Sequence, residues 1–227
     1  MERFGLGPEA TASIERLLDL LERDPTAPTT VHDRTEALDV HVADSLSGLE
    51  LDAVRSARRV ADLGAGAGFP GLVLAAALSN AHVALVESVG RKCEWLQRAV
   101  DAMTLANAEV VNARAEAWFA GVGAHDLVTA RALAPLNALV EYAAPLLEDG
   151  GSLVAWKGRR VAGEEADGAA AAERLGMELR DVRRVQPFRD ARDRHLYLYL
   201  KVRPTPNGYP RRPGMARKRP LTASTSG

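Results

Sequence analysis

The sequence predicts an α/β fold with a mostly parallel, Rossmann-like sheet, an antiparallel last strand and a helical N-terminal extension. Three observations predict it. From Arg58 onward, short apolar or β-branched runs alternate with helical segments, the pattern of a sheet covered on both faces. A glycine-rich turn, "VADLGAGAGFPG" (Val60–Gly71), leaves the first of those runs. The last two runs, "LRDVRRVQPF" and "RHLYLYLKV", have no helix between them, so "RDARDR" reads as a hairpin loop.

Ile14, Leu17, Leu18 and Leu21 recur at helical spacing and predict an amphipathic helix over about residues 10–23. "DPTAPTT" ends it. Leu38, Val42, Leu46 and Leu49 predict a second helix, whose other face carries His41, Asp44 and Ser45. Strands are expected at 59–63, 82–86, 108–111, 126–130 and 152–156. Helices are expected near 70–79, 90–105, 113–119, 135–147 and 163–175. This divides the chain into a helical extension (1–52), a Rossmann-like domain (53–203) and a flexible basic tail (204–227).

With 227 residues and 47% apolar content, the chain can bury one sizeable core. No apolar run is long enough to span a bilayer, and "MERFGLGPEA" lacks a secretory pattern, so a cytoplasmic protein is expected. Cys93 is the only cysteine, which excludes an internal disulfide or a thiolate metal cluster; no metal is expected. A net charge of −1 conceals an asymmetry: residues 181–227 carry twelve bases and three acids. Such an end is either a phosphate-binding surface or a solubilising tail.

The turn fits G-x-G-x-x-G through Gly66, Gly68 and Gly71, a pattern associated with dinucleotides. Asp62 argues for a different ligand. A carboxylate about 4 Å from a phosphate, at an effective dielectric near 20, opposes it by about 4 kcal/mol. S-adenosylmethionine carries a sulfonium and an ammonium and no phosphate, so an acid beside the loop favours it. Gly64, Gly66 and Gly68 then shape the loop. Glu87, ending the second strand, suits the ribose hydroxyls. Glu116, after the third strand, is a candidate for the adenine edge; a solvated acid at a helix start is the alternative.

The acceptor leaves fewer marks. Cys93 lies in a helical run away from the loop, so cysteine-dependent attack at a pyrimidine is not indicated. "TARALAPL" lacks the Asn/Asp-Pro-Pro-aromatic turn used for exocyclic amines. Arg131 stands there instead, able to position phosphate or a guanine, or to pair with Asp62 or Glu116. An acceptor that is already a lone pair, such as guanine N7, needs no base.

In order, "HVADS", "DLGAGAGFPG", "VESVGRKCEWL", "ARAEAW", "TARALAPL", "WKG", "RHLYLYLKV" and "YPRRPGMARKRPL" resemble the bacterial small-subunit ribosomal RNA guanine-N7 methyltransferases, the glucose-inhibited division B family. The resemblance covers about Asp33–Leu221. It implies a class I S-adenosylmethionine-dependent methyltransferase that modifies N7 of one guanine in 16S rRNA, with the small ribosomal subunit as partner and a monomeric chain. It places cofactor contacts on Gly64, Phe69, Ala115, Glu116 and Arg131, with Glu87 for the ribose. His41 and Lys157 join Arg131 as candidate catalytic residues. Arg192, Arg194, Arg211, Arg212, Lys218 and Arg219 are candidate RNA contacts, and trimming the tail is expected to leave cofactor affinity intact. Val40 stands where the family usually has arginine, and "TAPTTVHDRTE" replaces its usual aromatic and Asn-Leu-Thr stretch. A small-molecule methyltransferase and a cofactor-binding assembly factor without chemistry are the competing readings.

Overall fold

The computed structural model describes residues 2–223. The N-terminal extension begins with α1 (Pro8–Arg23), which has proline in its first turn, where no intrahelical N–H is needed. It buries Ile14, Leu17, Leu18 and Leu21, the predicted stripe. A continuous helical stretch follows: α2 (Arg34–Ala37), a π-helical turn (Leu38–Ala43), α3 (Asp44–Leu46) and a 3₁₀ turn (Ser47–Glu50). Asp33 caps it by accepting the Glu36 amide at 2.8 Å. The short α4 (Asp52–Arg55) leads into the sheet.

The alternating elements are β1 (Arg59–Leu63), α5 (Gly71–Ala77), β2 (His82–Glu87), α6 (Gly90–Met103), β3 (Ala108–Asn112), β4 (His125–Arg131), α7 (Leu136–Ala143), β5 (Leu147–Lys157), α8 (Ala162–Leu175), β6 (Met177–Val185) and β7 (Arg194–Lys201). The segment expected to be helical over 113–119 forms only short 3₁₀ turns. The seven strands run in the order β3-β2-β1-β4-β5-β7-β6. β7 is antiparallel to both neighbours; the other pairings are parallel. The order reverses between β1 and β4, which opens a ligand crevice beyond their carboxyl ends. Leu63 lies opposite Ala130, so Gly64 and Arg131 emerge side by side at that crevice.

The central strands are buried on both faces, and their alternation builds two cores. Val60, Val83, Leu85, Leu127, Val154 and Trp156 face one side, packed with α5, α6 and the apolar stripe of α1. Ala61, Leu63, Ala84, Val86, Val128 and Leu153 face the other, under α7 and α8. The extension therefore shares its core with the sheet.

The described part of the tail is not the flexible segment expected from its composition. It contains α9 (Met215–Lys218), buries Ala216 and Leu221, and lies against the α7 face. Buried polar partners hold it: Arg211 pairs bidentately with Glu141, and Asn137 donates to the Leu221 carbonyl at 2.8 Å. Residues 224–227 lie outside the described region.

Candidate active site

The glycine loop is held from below by two carboxylates. Asp62 is buried, accepting the Thr129 hydroxyl at 2.7 Å and the Gly71 amide at 3.0 Å. Burial raises its pKa to about 6. Asp62 thus braces the loop and does not present a free carboxylate at its mouth. A residue on a strand face points into the layer above, whereas one just past the strand end can face the crevice. Glu87 accepts the Gly66 amide at 3.2 Å and the Val89 amide at 2.9 Å. Gly64, Gly66 and Gly68 have positive φ. A Cβ on Gly68 would stand 2.1 Å from Leu72 Cδ1.

Two cavities open at the crevice. The first, about 240 Å³, is lined by Gly64, Ser88, Ala115, Glu116, Leu133 and Tyr142, with Gly214 and Arg217 of the tail across it. Glu116 is buried and accepts the Gly214 amide at 2.9 Å. Gly64, Ala115 and Glu116, named from the sequence as candidate cofactor contacts, line this cavity, while Gly66, Gly68, Asp62 and Glu87 shape the loop beside it. A Cβ on Gly64 would meet Leu133 at 2.6 Å, so glycine keeps this end of the cavity open.

The second cavity, about 390 Å³, is lined by Val40, His41, Asp44 and Arg131 on one side. Trp156, Lys157, Arg194 and His195 face them. Ala132, a non-glycine residue with φ of 54°, turns the chain from Arg131 on this cavity to Leu133 on the first. Non-glycine residues in this left-handed region cluster at functional sites.

Arg131 is fixed by three partners. It donates to Asp44 Oδ2 at 2.8 Å, to the Val40 carbonyl at 3.1 Å and to His41 Nδ1 at 3.3 Å. Its ion-pair partner is therefore Asp44, in place of Asp62 or Glu116. The π-helical turn brings Val40, His41 and Asp44 onto one guanidinium; such turns recur at functional sites. Because Arg131 can only donate, His41 Nδ1 accepts, and Nε2–H donates to the Thr29 hydroxyl at 2.9 Å. Burial and the neighbouring Arg131 lower the His41 pKa to about 4, so the imidazole is neutral at pH 7. Phe69 stacks on His41, with centroids 4.5 Å apart, and lies 5.5 Å from the Arg131 guanidinium carbon. Phe69 and Arg131, expected at the cofactor, thus stand together beside the second cavity.

Lys157 pairs with Glu164 at 2.5 Å, and Glu164 also accepts the Leu136 amide. Among the expected RNA contacts, Arg192, Arg212, Lys218 and Arg219 are exposed. Arg194 lines the second cavity, and Arg211 is committed to the buried Glu141, so it is not a free surface cation. Cys93 donates to the Glu87 carbonyl, and burial raises its pKa, so it is not an activated thiolate. Among the described residues no cluster could hold a metal ion, and no helix is long and apolar enough to cross a membrane. Sequence reasoning missed Ser88, Tyr142, Gly214 and Arg217 at the first cavity, and the Asp44–Arg131 pair at the second. The helical grouping of Asp44 with His41 was the available signal for the pair.

Residues 14–197 match the family model GidB, described as rRNA small subunit methyltransferase G. The chain belongs to this family. A relative from Rubrobacter xylanophilus, named ribosomal RNA small subunit methyltransferase G, is 43% identical over 188 residues, covering 80% of this chain and 72% of the relative. A relative of the same name from Carboxydothermus hydrogenoformans is 35% identical, covering 96% of this chain and 95% of its own. Among solved structures, a SAM-dependent methyltransferase from Aquifex aeolicus aligns with a TM-score of 0.57 at 16% identity, covering 82% of this chain and 97% of that one. That likeness places the fold among the SAM-dependent methyltransferases. Within the GidB family, the paired cavities are the methyltransferase's candidate active site.

Proposed function

We propose that the chain transfers the methyl group of S-adenosylmethionine to N7 of a guanine in 16S rRNA, acting on the small ribosomal subunit. The observation carrying this reading is the pair of adjoining cavities, joined at Arg131–Leu133, with the glycine loop on one and a rigid cationic cluster on the other. Membership of an rRNA methyltransferase family supports the RNA substrate.

The first cavity is the proposed cofactor site. Gly64 gives close backbone approach, Glu116 offers a buried acceptor, and Glu87 stands under the loop at the end of β2. Bound there, S-adenosylmethionine supplies a methyl group activated by its positive sulfur. The N7 lone pair attacks the methyl carbon, the carbon–sulfur bond breaks, and sulfur keeps the electron pair. No proton leaves the guanine, so no general base is required. The residues present match that requirement: the Cys93 thiol is not activated and donates to the Glu87 carbonyl, and His41 is neutral with both nitrogens engaged. Their contribution is proximity and alignment. Arg131, pinned by Asp44 and stacked on Phe69, positions the base, while Lys157 flanks it. Arg192, Arg212, Lys218 and Arg219 offer a basic surface to the rRNA backbone.

Tritiated methyl transfer to undermethylated small subunits, followed by borohydride–aniline cleavage, tests this. Cleavage at a single labelled guanine is expected; label retained on an exocyclic amine would refute it.

A further inference from the structure

We infer that Asp44 is the residue that selects guanine, its carboxylate accepting the N1–H and exocyclic N2–H donors of the flipped base in the second cavity. This rests on the guanine-N7 reading above and names the determinant that the reading lacks.

Asp44 is 5% exposed, and its Oδ2 is occupied by Arg131. Its Oδ1 is buried and has no hydrogen-bond partner among the described residues. Arg194 stands beside it, with Nε 3.6 Å away, an ion-pair distance without a hydrogen bond. A buried carboxylate oxygen left without a donor is costly. Oδ1 belongs to a residue lining a 390 Å³ cavity, within the size range of small-ligand sites. The residue is also rigid: Trp156 Nε1 donates to its backbone carbonyl at 2.9 Å, and Arg131 holds its other oxygen.

The missing partner is therefore a donor. Enzymes that modify bases flip them and read their Watson–Crick edge. Guanine presents two adjacent donors on that edge, complementary to a carboxylate. Adenine presents an acceptor at N1, which a carboxylate repels. Gripping this edge leaves the Hoogsteen edge, with N7, free for the methyl group. Arg194, 38% exposed in its side chain, covers Oδ1 in the free chain, and the base takes its place.

The test uses small subunits reconstituted with 16S rRNA that carries either guanine or inosine at the methylated position. Inosine keeps N7 and lacks the N2 amine. For the wild-type chain, inosine should lower kcat/KM by about tenfold or more, the loss of a hydrogen bond to a charged acceptor. Asp44→Asn should shrink the guanine-to-inosine ratio to below about twofold while binding S-adenosylmethionine as before. Should Asp44→Asn fail to fold, Arg194→Ala serves: it leaves Asp44 and Arg131 intact and should keep the ratio. Equal wild-type rates on both substrates would overturn the inference. So would a ratio that survives Asp44→Asn, one that collapses in Arg194→Ala, or an Asp44→Asn variant whose only defect is cofactor affinity. No methylation of the guanine particles at all would instead count against the proposed function.

Discussion

The Gly214 amide donates to Glu116 Oε1 at 2.9 Å, tying the C-terminal segment to the acid at the edge of the first cavity, the proposed cofactor site. Arg217 extends the tie by donating to the Leu133 carbonyl at 2.8 Å. A chain ending at residue 203 loses this wall. Its affinity for S-adenosylmethionine, measured by calorimetry, should fall at least about tenfold through the lost hydrogen bonds and packing. That reverses the expectation from composition, under which the tail served RNA alone.

Arg131 and Asp44 form a pair largely withdrawn from water, with side chains 16% and 7% exposed. Removing one partner strands the other. Arg131→Ala should cost about 3 kcal/mol in urea denaturation. Arg131→Lys keeps the charge and loses the fork that reaches Asp44, Val40 and His41 together. It should cost less stability than alanine and lower kcat/KM by about 100-fold through misplacement of the base.

His41 and Asp62 oppose each other in their dependence on pH. The folded His41 value, about 4, lies below the ordinary 6.5. Its contribution to stability is present above 6.5 and lost as pH falls toward 4. The folded Asp62 value, about 6, lies above the ordinary 3.8. Its contribution is present below 3.8 and lost as pH rises through 6. The two largely offset each other between pH 4 and 6. His41→Gln should shift the balance toward the Asp62 trend, so that denaturation midpoints rise less with pH over that window than in the wild-type chain. Because His41 stays neutral, single-turnover methyl transfer should be flat from about pH 6.5 to 8; a limb near neutrality would indicate a general base.

The loop glycines differ in what surrounds them. A Cβ at Gly66 would meet only the Gly64 carbonyl, at 3.6 Å, so Gly66→Ala incurs mainly the left-handed backbone cost of about 1 kcal/mol. At Gly68, with φ of 99°, the Cβ would enter Leu72. Gly68→Ala should cost at least about 3 kcal/mol, with strain from overpacking added to the backbone term. Thermal denaturation of both variants separates the two cases.

The basic residues of the tail divide by partner. Arg212, Lys218 and Arg219 are exposed, so replacing any one with alanine should reduce the logarithmic salt slope of RNA binding by about one. Arg211→Ala should act through the fold, because it leaves Glu141, 2% exposed, without its cation. A loss of about 3 kcal/mol is expected.

The order of strands and helices was legible because each is a local pattern. β1 begins and ends where the apolar run does, and the hairpin of β6 and β7 follows from two strand-like runs joined by a polar loop. Gly64 and Glu116 were legible because residues just past a strand end must face the crevice. Direction and partnership were not. Asp62 reads as a ligand-facing acid in one dimension, but its strand position turns it under the loop. Arg131 finds Asp44 across 87 positions, and Arg211 finds Glu141 across 70. Such pairings depend on how layers stack: Arg131 was expected to meet Asp62 or Glu116, and charge counting places Arg211 on the surface. The tail shows the same limit: proline, glycine and arginine suggest disorder until Leu221 and Ala216 find an apolar face.

Gly48 approaches Trp156 so closely that a Cβ there would lie 2.5 Å from the indole. One wall of the second cavity is thus assembled from the extension and the sheet together, whereas the first cavity draws on neither α1 nor the helical stretch after it. Transient detachment of the first fifty residues would remove a wall of the second cavity, the proposed place of the RNA base, and leave the lining of the first in place. On the proposed reading the base sits against the extension and the methyl donor away from it, so amide exchange in α3 should respond to RNA more than to the cofactor.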